Sequence, residues 1–228
     1  MIKTKEIKQI AFDLGANLCG IASIDRFNNA PEGFRPTDLY SKAKSVIVLA
    51  KKLPESIFYT KSYIPYSFAD VVALKEIFRI TFEFSIELEK YKIIAVPVPS
   101  EPYEYWDKET MTGKGILSLK HAGYLAGLGV MGRNSLLNNP KFGNLIKLGA
   151  VITNADLEAD PIIAYDFCSD KCNLCIDHCP SGALSKDYVL QKDCRLNSEG
   201  LTKKGAPITI SNSCMKICPN RAGWKMKL

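Results

Sequence analysis

The chain has 228 residues, and its hydrophobic content of 46% is high enough to build a buried core. It contains no apolar stretch of about 20 residues, which argues against a membrane span, and its first residues lack the apolar segment of a signal peptide. We therefore expect a cytoplasmic protein with no membrane partner. Eight cysteines in such a protein are typical of metal ligands rather than disulfides, and the formal charge of +6 makes the chain mildly basic.

Residues 1–160 alternate between predicted helices and strands. The first helix places apolar side chains at positions 7, 10, 11 and 14, and strands are predicted over residues 18–22, 45–50, 93–97 and 145–152. Strands separated by helices predict an α/β or α+β layered domain over residues 1–160. The cysteine-rich residues 161–228 are predicted to form a second module.

A long helix is predicted over residues 67–90, which contain neither proline nor glycine. Its apolar positions form a wide stripe, so we expect the helix to lie buried between layers. The stripe consists of Val71, Leu74, Ile77, Phe78, Phe82, Ile86 and Leu88.

The strongest motif is a pair of cysteine runs near the C-terminus. They read Cys168-x3-Cys172-x2-Cys175-x3-Cys179-Pro180 and Cys214-x3-Cys218-Pro219. Close cysteines ending in Cys-Pro are typical of bacterial ferredoxins, in which the cysteine before the proline binds the other of two clusters. This rule assigns a first 4Fe–4S cluster to Cys168, Cys172, Cys175 and Cys218.

The second cluster has fewer certain ligands. Cys179 and Cys214 follow from the crossed pattern, and Cys194 is a plausible third ligand. The usual step of three residues before Cys214 falls on Ser211, where a thiolate is expected. The sequence therefore predicts a second site with an incomplete cysteine set, in which Ser211 or another oxygen ligand takes the fourth corner, or an iron is lost.

Two other interpretations of the cysteines stay open. Zinc also binds closely spaced cysteines, although usually as paired knuckles with four ligands in all. Alternatively, a single cluster forms, and Cys179, Cys194 and Cys214 are simply buried. With two clusters on seven thiolates, ligand counting adds about −3 to the net charge, so the lysines balance the clusters and nucleic acid is not an expected partner. Cys19, in a predicted strand, is expected to be a small core residue.

A glycine-rich stretch over residues 115–135 is the second candidate site. Glycines at 127, 129 and 132 permit a tight loop after a short helix, and such a loop exposes backbone amides that suit an anionic or amide-rich ligand. The same composition is also typical of an ordinary helix end, so the pattern alone does not decide between them.

Several stretches together resemble epoxyqueuosine reductase and the reductive dehalogenases, which are double-cluster iron–sulfur proteins. The resemblance rests on Ser-Leu-Lys-His at 118–121, Ala-Gly-Leu-Gly-Val-Met-Gly-Arg-Asn at 126–134, Leu-Gly-Ala-Val-Ile-Thr at 148–153, Asp-Cys-Arg at 193–195 and the two Cys-Pro runs. It implies a nitroreductase-like layered domain with a C-terminal ferredoxin-like module. It also implies the cluster ligands already derived from spacing, with Ser211 at the position of a ligand.

The resemblance further implies a bound cofactor, a corrinoid first and a flavin second. Residues at the positions of the family's cofactor region are Ser118, Lys120, His121, Gly127, Gly129, Gly132, Arg133 and Asn134. Aromatic residues are also candidates to line a pocket for a flat cofactor or substrate, with ordinary packing as the alternative. These are Tyr59, Tyr63, Tyr66, Tyr103, Tyr105 and Trp106.

The function that follows is an iron–sulfur oxidoreductase. It would take electrons from a donor such as ferredoxin or flavodoxin and pass them through two clusters to a cofactor or small-molecule substrate. The family's proton-donating aspartate has no counterpart in Pro-Val-Pro-Ser-Glu-Pro at 97–102, so we expect a substrate other than epoxyqueuosine. The rival hypotheses are a non-catalytic electron-transfer or cofactor-delivery protein and a tRNA-associated enzyme.

Overall fold

The elements of the computed structural model are numbered in chain order, and the residues described are 2–165 and 167–223. The helices are α1 (Thr4–Asp13), α2 (Pro36–Leu39), α3 (Ile64–Glu89), α4 (Leu119–Leu125), α5 (Leu174–Asp177), α6 (Gln191–Ser198) and α7 (Ser213–Lys216). The strands are β1 (Leu18–Ser23), β2 (Ser45–Lys52), β3 (Ala95–Val98), β4 (Tyr105–Asp107), β5 (Thr112–Lys114), β6 (Val130–Met131), β7 (Leu137–Asn138), β8 (Ile146–Thr153), β9 (Glu199–Leu201) and β10 (Pro207–Thr209).

Four strands form one antiparallel sheet in the order β1-β2-β8-β3. The central strand β2 pairs with β1 on one side and β8 on the other, so that Val48 lies opposite both Gly20 and Ala150. Residues 45–50 of β2 are all buried, which explains their continuous apolar run. All four strands of this sheet were predicted, with ends that differ by up to two residues.

Helices cover both faces of the sheet. On one face α1 and α3 pack against it, with Ile80 and Phe84 in the same buried cluster as Ile47. On the other face α4 packs, with Ala122 in the same cluster as Val48. This three-layer arrangement confirms the predicted mixed α/β fold. Within the described residues, no helix is both long and apolar enough to cross a membrane.

The long helix α3 differs from its prediction in two ways. It begins at Ile64 because Pro65 lies in its first turn, where a proline costs no hydrogen bond. Its buried face also differs from the predicted stripe, since the side chains of Val71, Phe82 and Ile86 are exposed. The buried positions instead follow helical spacing through Ala69, Ala73, Ile77, Ile80, Thr81, Phe84, Ser85 and Leu88.

The cysteine-rich part packs against the layered unit. The Thr209 amide donates a hydrogen bond to Ser67 Oγ at 3.2 Å, and Arg221 pairs with Glu55 at 3.2 Å. Two short antiparallel pairs accompany these contacts, β4 with β5 and β9 with β10. The predicted division at 160/161 stays a prediction, and Asp166 and residues 224–228 of the second module lie outside the described residues.

Candidate metal centre

The four cysteines predicted to hold the first cluster line one cavity. They come from two parts of the chain that are far apart in sequence, the loop leading into α5 with α5 itself, and the turn after α7. The cavity is lined by Asn134, Phe167, Cys168, Cys172, Leu174, Cys175, Cys218 and Pro219. The structure therefore brings together all four thiols of the first predicted site.

Helices α5 and α7 explain how the two cysteine runs cross. Each helix carries a cysteine and is followed by a Cys-Pro pair, and the two helices pack against each other. Burial raises the pKa of the Cys175 thiol, with the neighbouring Cys168, Cys218 and Cys172 adding to the effect. Cys175 on α5 thus faces Cys218, which follows α7.

Three of the other four cysteines, Cys179, Cys194 and Cys214, form a second group. Burial raises the pKa of Cys214 to about 11, and its neighbours Cys194, Cys175 and Cys179 act in the same direction. Burial and Cys179 also raise the pKa of Cys194, whereas Arg195 and Lys120 oppose the rise. Since Cys175 contributes to the environment of Cys214, the two groups of cysteines are neighbours.

Several hydrogen-bond donors surround the thiol of Cys179. Burial alone would raise its pKa, but hydrogen bonds from the Leu184, Ser181 and Ala183 amides and the Ser181 hydroxyl lower it overall. The Ser181 Oγ lies 3.7 Å from Cys179 Sγ. These donors favour the thiolate, which is the form that binds metal.

Ser211 is half-buried between β10 and α7. This placement is compatible with a ligand role, and the assignment of Ser211 to the second cluster stays a prediction.

Among residues 2–165 and 167–223, no three His, Cys, Asp or Glu side chains converge closely enough to hold a single metal ion. The four cysteines of the first group instead line a cavity.

Arg133 joins the glycine-rich stretch to the first cysteine loop. Its Nη1 donates to the Cys172 carbonyl at 2.6 Å, to Asn173 Oδ1 at 3.0 Å and to the Asp170 carbonyl at 3.2 Å. The guanidinium was predicted to lie in a cofactor region. The structure places it on the backbone of the cysteine loop, where it fixes the position of Cys172.

Lys120 joins the same stretch to the second group of cysteines. Its Nζ donates to the Ser135 carbonyl at 2.6 Å. Burial lowers the pKa of Lys120, and the nearby Cys194 and Cys214 oppose that shift.

At the start of α4, Ser118 Oγ lies 2.6 Å from His121 Nδ1. Burial and the Lys120 charge lower the pKa of His121.

Other parts of the chain occupy the space that a side chain would need at each of the three loop glycines. A Cβ at Gly129 would overlap the Asn138 carbonyl, and one at Gly132 would overlap the Asn138 side chain. Gly127 has a φ of +70° and lies against the Pro161 carbonyl. Close packing thus accounts for these glycines without a ligand, and their assignment to a cofactor site stays a prediction.

The predicted aromatic residues do not form one pocket. Tyr63 lines a separate polar cavity beside α7, together with Lys61 and Lys216. Tyr66 is buried and donates to Met215 Sδ at 3.3 Å. Tyr59 is 73% exposed.

Tyr103 and Trp106 stack on each other and on Arg195, a residue to which the sequence assigned no role. The Arg195 guanidinium lies 4.9 Å from the Tyr103 ring and 5.0 Å from the Trp106 ring. This stack attaches the β4–β5 hairpin to α6, next to Cys194. Arg195 belongs to the Asp-Cys-Arg stretch at 193–195, which carries part of the family resemblance. Its two aromatic partners lie about 90 positions away, so the sequence alone does not indicate these cation–π contacts.

No protein-family model matches the chain. The chain is 29% identical to the epoxyqueuosine reductase of Staphylococcus aureus over 126 residues, which is 50% of this chain and 32% of that protein. The epoxyqueuosine reductase of Leadbetterella byssophila is 27% identical over 215 residues, covering 84% of this chain and 67% of that protein. The chain is similar in sequence to the epoxyqueuosine reductases. The match spans about a third of the length of the Staphylococcus protein.

Solved structures agree with this relationship. The epoxyqueuosine reductase of Streptococcus thermophilus has a TM-score of 0.67 at 20% identity, covering 100% of this chain and 68% of its own. A catabolic reductive dehalogenase has a TM-score of 0.66 at 18% identity, covering 97% of this chain and 32% of its own. The family resemblance and the fold class predicted from the motifs are thereby confirmed.

A third solved relative bears on partners. It is an epoxyqueuosine reductase solved with an epoxyqueuosine-modified tRNA stem loop, with a TM-score of 0.65 at 18% identity, and it covers 97% of this chain and 66% of its own. The nucleic acid in that complex cuts against the sequence-based expectation that nucleic acid is not a partner.

Proposed function

We propose that this protein is an iron–sulfur oxidoreductase that passes electrons through two 4Fe–4S clusters to a bound cofactor or substrate. The observation that carries the proposal is the cavity shared by Cys168, Cys172, Cys175 and Cys218. When bound, the clusters supply one-electron transfer. Their ligands are Cys168, Cys172, Cys175 and Cys218 for the first and Cys179, Cys194, Cys214 and Ser211 for the second.

The residues around the first cavity suit a cluster. Four thiols, the soft ligands that iron–sulfur clusters take, surround it, and Leu174, Pro219 and Phe167 add apolar surface. The thiols are spread around a cavity rather than gathered on one point, which favours a polynuclear cluster over a single zinc ion. Since burial raises the pKa of Cys175 and Cys218, loading the site releases protons.

Two cations adjoin the second site. Lys120 and Arg195 both oppose the raised pKa of Cys194, so they stabilise negative charge there. Lys120 is held by the Ser135 carbonyl, and Arg195 by the Tyr103 and Trp106 rings. These two residues would balance the charge of a reduced second cluster and keep the glycine-rich stretch and the β4–β5 hairpin beside it.

We further propose a bound cofactor as the acceptor of the electrons, with a corrinoid as the first candidate and a flavin as the second. The electron donor is ferredoxin or flavodoxin. The absent aspartate favours a substrate other than epoxyqueuosine. A tRNA-borne substrate is the second candidate function, because a homologue is solved with a tRNA stem loop. Titration of the protein with such a stem loop separates these substrates.

Anaerobic purification with iron, sulfide and EPR analysis tests the two clusters. We expect about eight irons and eight sulfides per chain, from two cubanes. About four irons per chain or fewer would overturn the two-cluster assignment, because a single cubane already contains four. The visible absorption spectrum of the same sample separates iron–sulfur, corrinoid and flavin contributions. Uptake of cobalamin or flavin supports the enzyme, whereas uptake of neither supports a non-catalytic carrier or cofactor-delivery protein.

Replacing Ser211 with cysteine should make the second cluster more resistant to air. A thiolate is a softer and stronger ligand for iron than a hydroxyl, so the Ser211→Cys variant completes the second set. The measurement is the rate of loss of cluster absorbance on exposure to air, with Ser213→Cys as the matched control two residues away. Equal rates and spectra in Ser211→Cys and the unaltered protein would count against Ser211 as a ligand.

A further inference from the structure

The buried amide of Asn134 lies at the cavity of the first cysteine group. Its side chain lines that cavity and is 5% exposed. Asn134 was predicted to face a corrinoid or flavin. The structure places it on the wall that Cys168, Cys172, Cys175 and Cys218 share.

The orientation of this amide is determined by its neighbours. The Leu136 backbone N–H donates to Asn134 Oδ1 at 3.2 Å, and Asn138 Nδ2 donates to the same oxygen at 3.3 Å. A flipped amide would place its NH₂ against both donors, so the oxygen must lie on this side. The NH₂ group is therefore the part of Asn134 left to face the cavity.

Asn134 Nδ2 has no hydrogen-bond partner among the described residues, although it is fully shielded from solvent. Buried donors in folded proteins nearly always have an acceptor, so an orphan of this kind indicates a missing group. The other cavity-lining side chains are Phe167, Leu174, Pro219 and the four cysteines, and only sulfur among them accepts hydrogen bonds.

We infer that Asn134 Nδ2 donates a hydrogen bond to a sulfur of the first cluster, either an inorganic sulfide or a cysteine thiolate. Asn134 is then a tuning residue that makes the first cluster easier to reduce. Reduction adds negative charge to the sulfurs, and a donor stabilises the more negative state, which raises the reduction potential. This inference rests on the proposed function, because it requires the first cluster.

The backbone of the same loop supports this placement. The next residue, Ser135, has a φ of +58°, and its carbonyl accepts the hydrogen bond from Lys120 Nζ at 2.6 Å. On the other side, Arg133 binds the cysteine loop through the Cys172 carbonyl. Asn134 is thus held between an anchor near the second cysteine group and an anchor on the first.

The test is a redox titration of the loaded protein followed by EPR. Asn134→Leu removes the donor with little change in volume, and Asn134→Asp removes the donor but keeps an acceptor for Leu136. Both variants should lower one of the two midpoint potentials. We expect about a tenfold fall in the ratio of reduced to oxidised first cluster at a fixed solution potential, which is a shift of about 59 mV.

Ser135→Ala is the matched control. It changes the neighbouring side chain of the same loop, which neither lines the cavity nor bonds to the Asn134 amide. This variant should leave both midpoints in place. An equal shift in Ser135→Ala and Asn134→Leu would overturn the inference, because it would trace the effect to the loop rather than to the donor.

A second measurement uses the unaltered protein and needs no variant. Pulsed EPR on the reduced protein, labelled with heavy nitrogen only in the side-chain amides of its asparagines, should detect a nitrogen nucleus coupled to the first cluster. Absence of that coupling would overturn the inference even if Asn134→Leu fails to load a cluster. Failure of the proposed function is distinct, since the unaltered protein would then contain no first cluster at all.

Discussion

Cys218→Ala should eliminate the first cluster and leave the second, whereas Cys214→Ala should eliminate the second and leave the first. The two cysteines are four positions apart on and after α7, yet the structure places Cys218 with Cys168 and Cys172, and Cys214 with Cys194 and Cys179. Each variant should retain about four of eight irons, and the two should show different remaining EPR signals.

The pair of variants separates crossed from uncrossed ligation. If Cys214 and Cys218 bound the same cluster, both substitutions would remove the same EPR signal.

Cys19→Ala is the control for loss of a cysteine as such. Cys19 is buried in β1, where burial raises its pKa to about 12, as expected for the predicted core residue. Its replacement should leave the iron content unchanged.

Gly129→Ala should lower the free energy of unfolding by about 1–3 kcal/mol, the usual range for overpacking. A Cβ at this position would overlap the carbonyl oxygen of Asn138 and crowd Asn139. The same carbonyl accepts a hydrogen bond from Tyr165 at 3.0 Å, so it has little freedom to move away. Denaturant unfolding followed by circular dichroism measures the change.

Gly115→Ala is the matched control for this substitution. A Cβ at Gly115 meets only the Leu117 carbonyl at 3.5 Å, which is an ordinary contact. Its effect on stability should stay within about 0.5 kcal/mol. A Gly129→Ala variant as stable as the unaltered protein, but with weaker cofactor uptake, would show that the glycine serves a ligand rather than the packing of the loop.

The two results together test how the chain builds its redox centre. The glycine-rich stretch is not an isolated ligand loop, because Arg133 and Lys120 connect it to both cysteine groups. Overpacking at Gly129 should therefore also displace the walls of the first cavity, where Asn134 lies. We expect Gly129→Ala to lose cluster absorbance in air faster than Gly115→Ala.

Local patterns were sufficient for much of this structure. The buried strands at 18–23 and 45–52 and the strand at 146–153 were predicted from short apolar runs, because a strand buried on both faces needs apolar residues at every position. The cysteine spacing predicted two groups of cysteines, because the cysteines of each run lie close together in sequence and the one before the proline crosses to the other group. These features depend on neighbours in sequence.

Other features depend on residues that meet only in the folded chain. Part of the α3 surface that was predicted to be buried is exposed. A wide apolar stripe does not indicate which of its residues the sheet covers. Arg133 reaches carbonyls almost 40 positions away, and Arg195 stacks on rings about 90 positions away. No periodicity carries information about such pairs.

By itself, the sequence determined the mixed α/β fold class and the positions of the thiols, whose spacing is typical of ligands to two clusters. Only the tertiary structure decided what surrounds those thiols. Asn134 was a cofactor candidate in the sequence, and its orphaned Nδ2 beside Cys168 and Cys218 became visible when distant segments formed one wall. The reason is physical: ligand identity follows from local spacing, whereas burial and hydrogen-bond partners follow from contacts between remote parts of the chain.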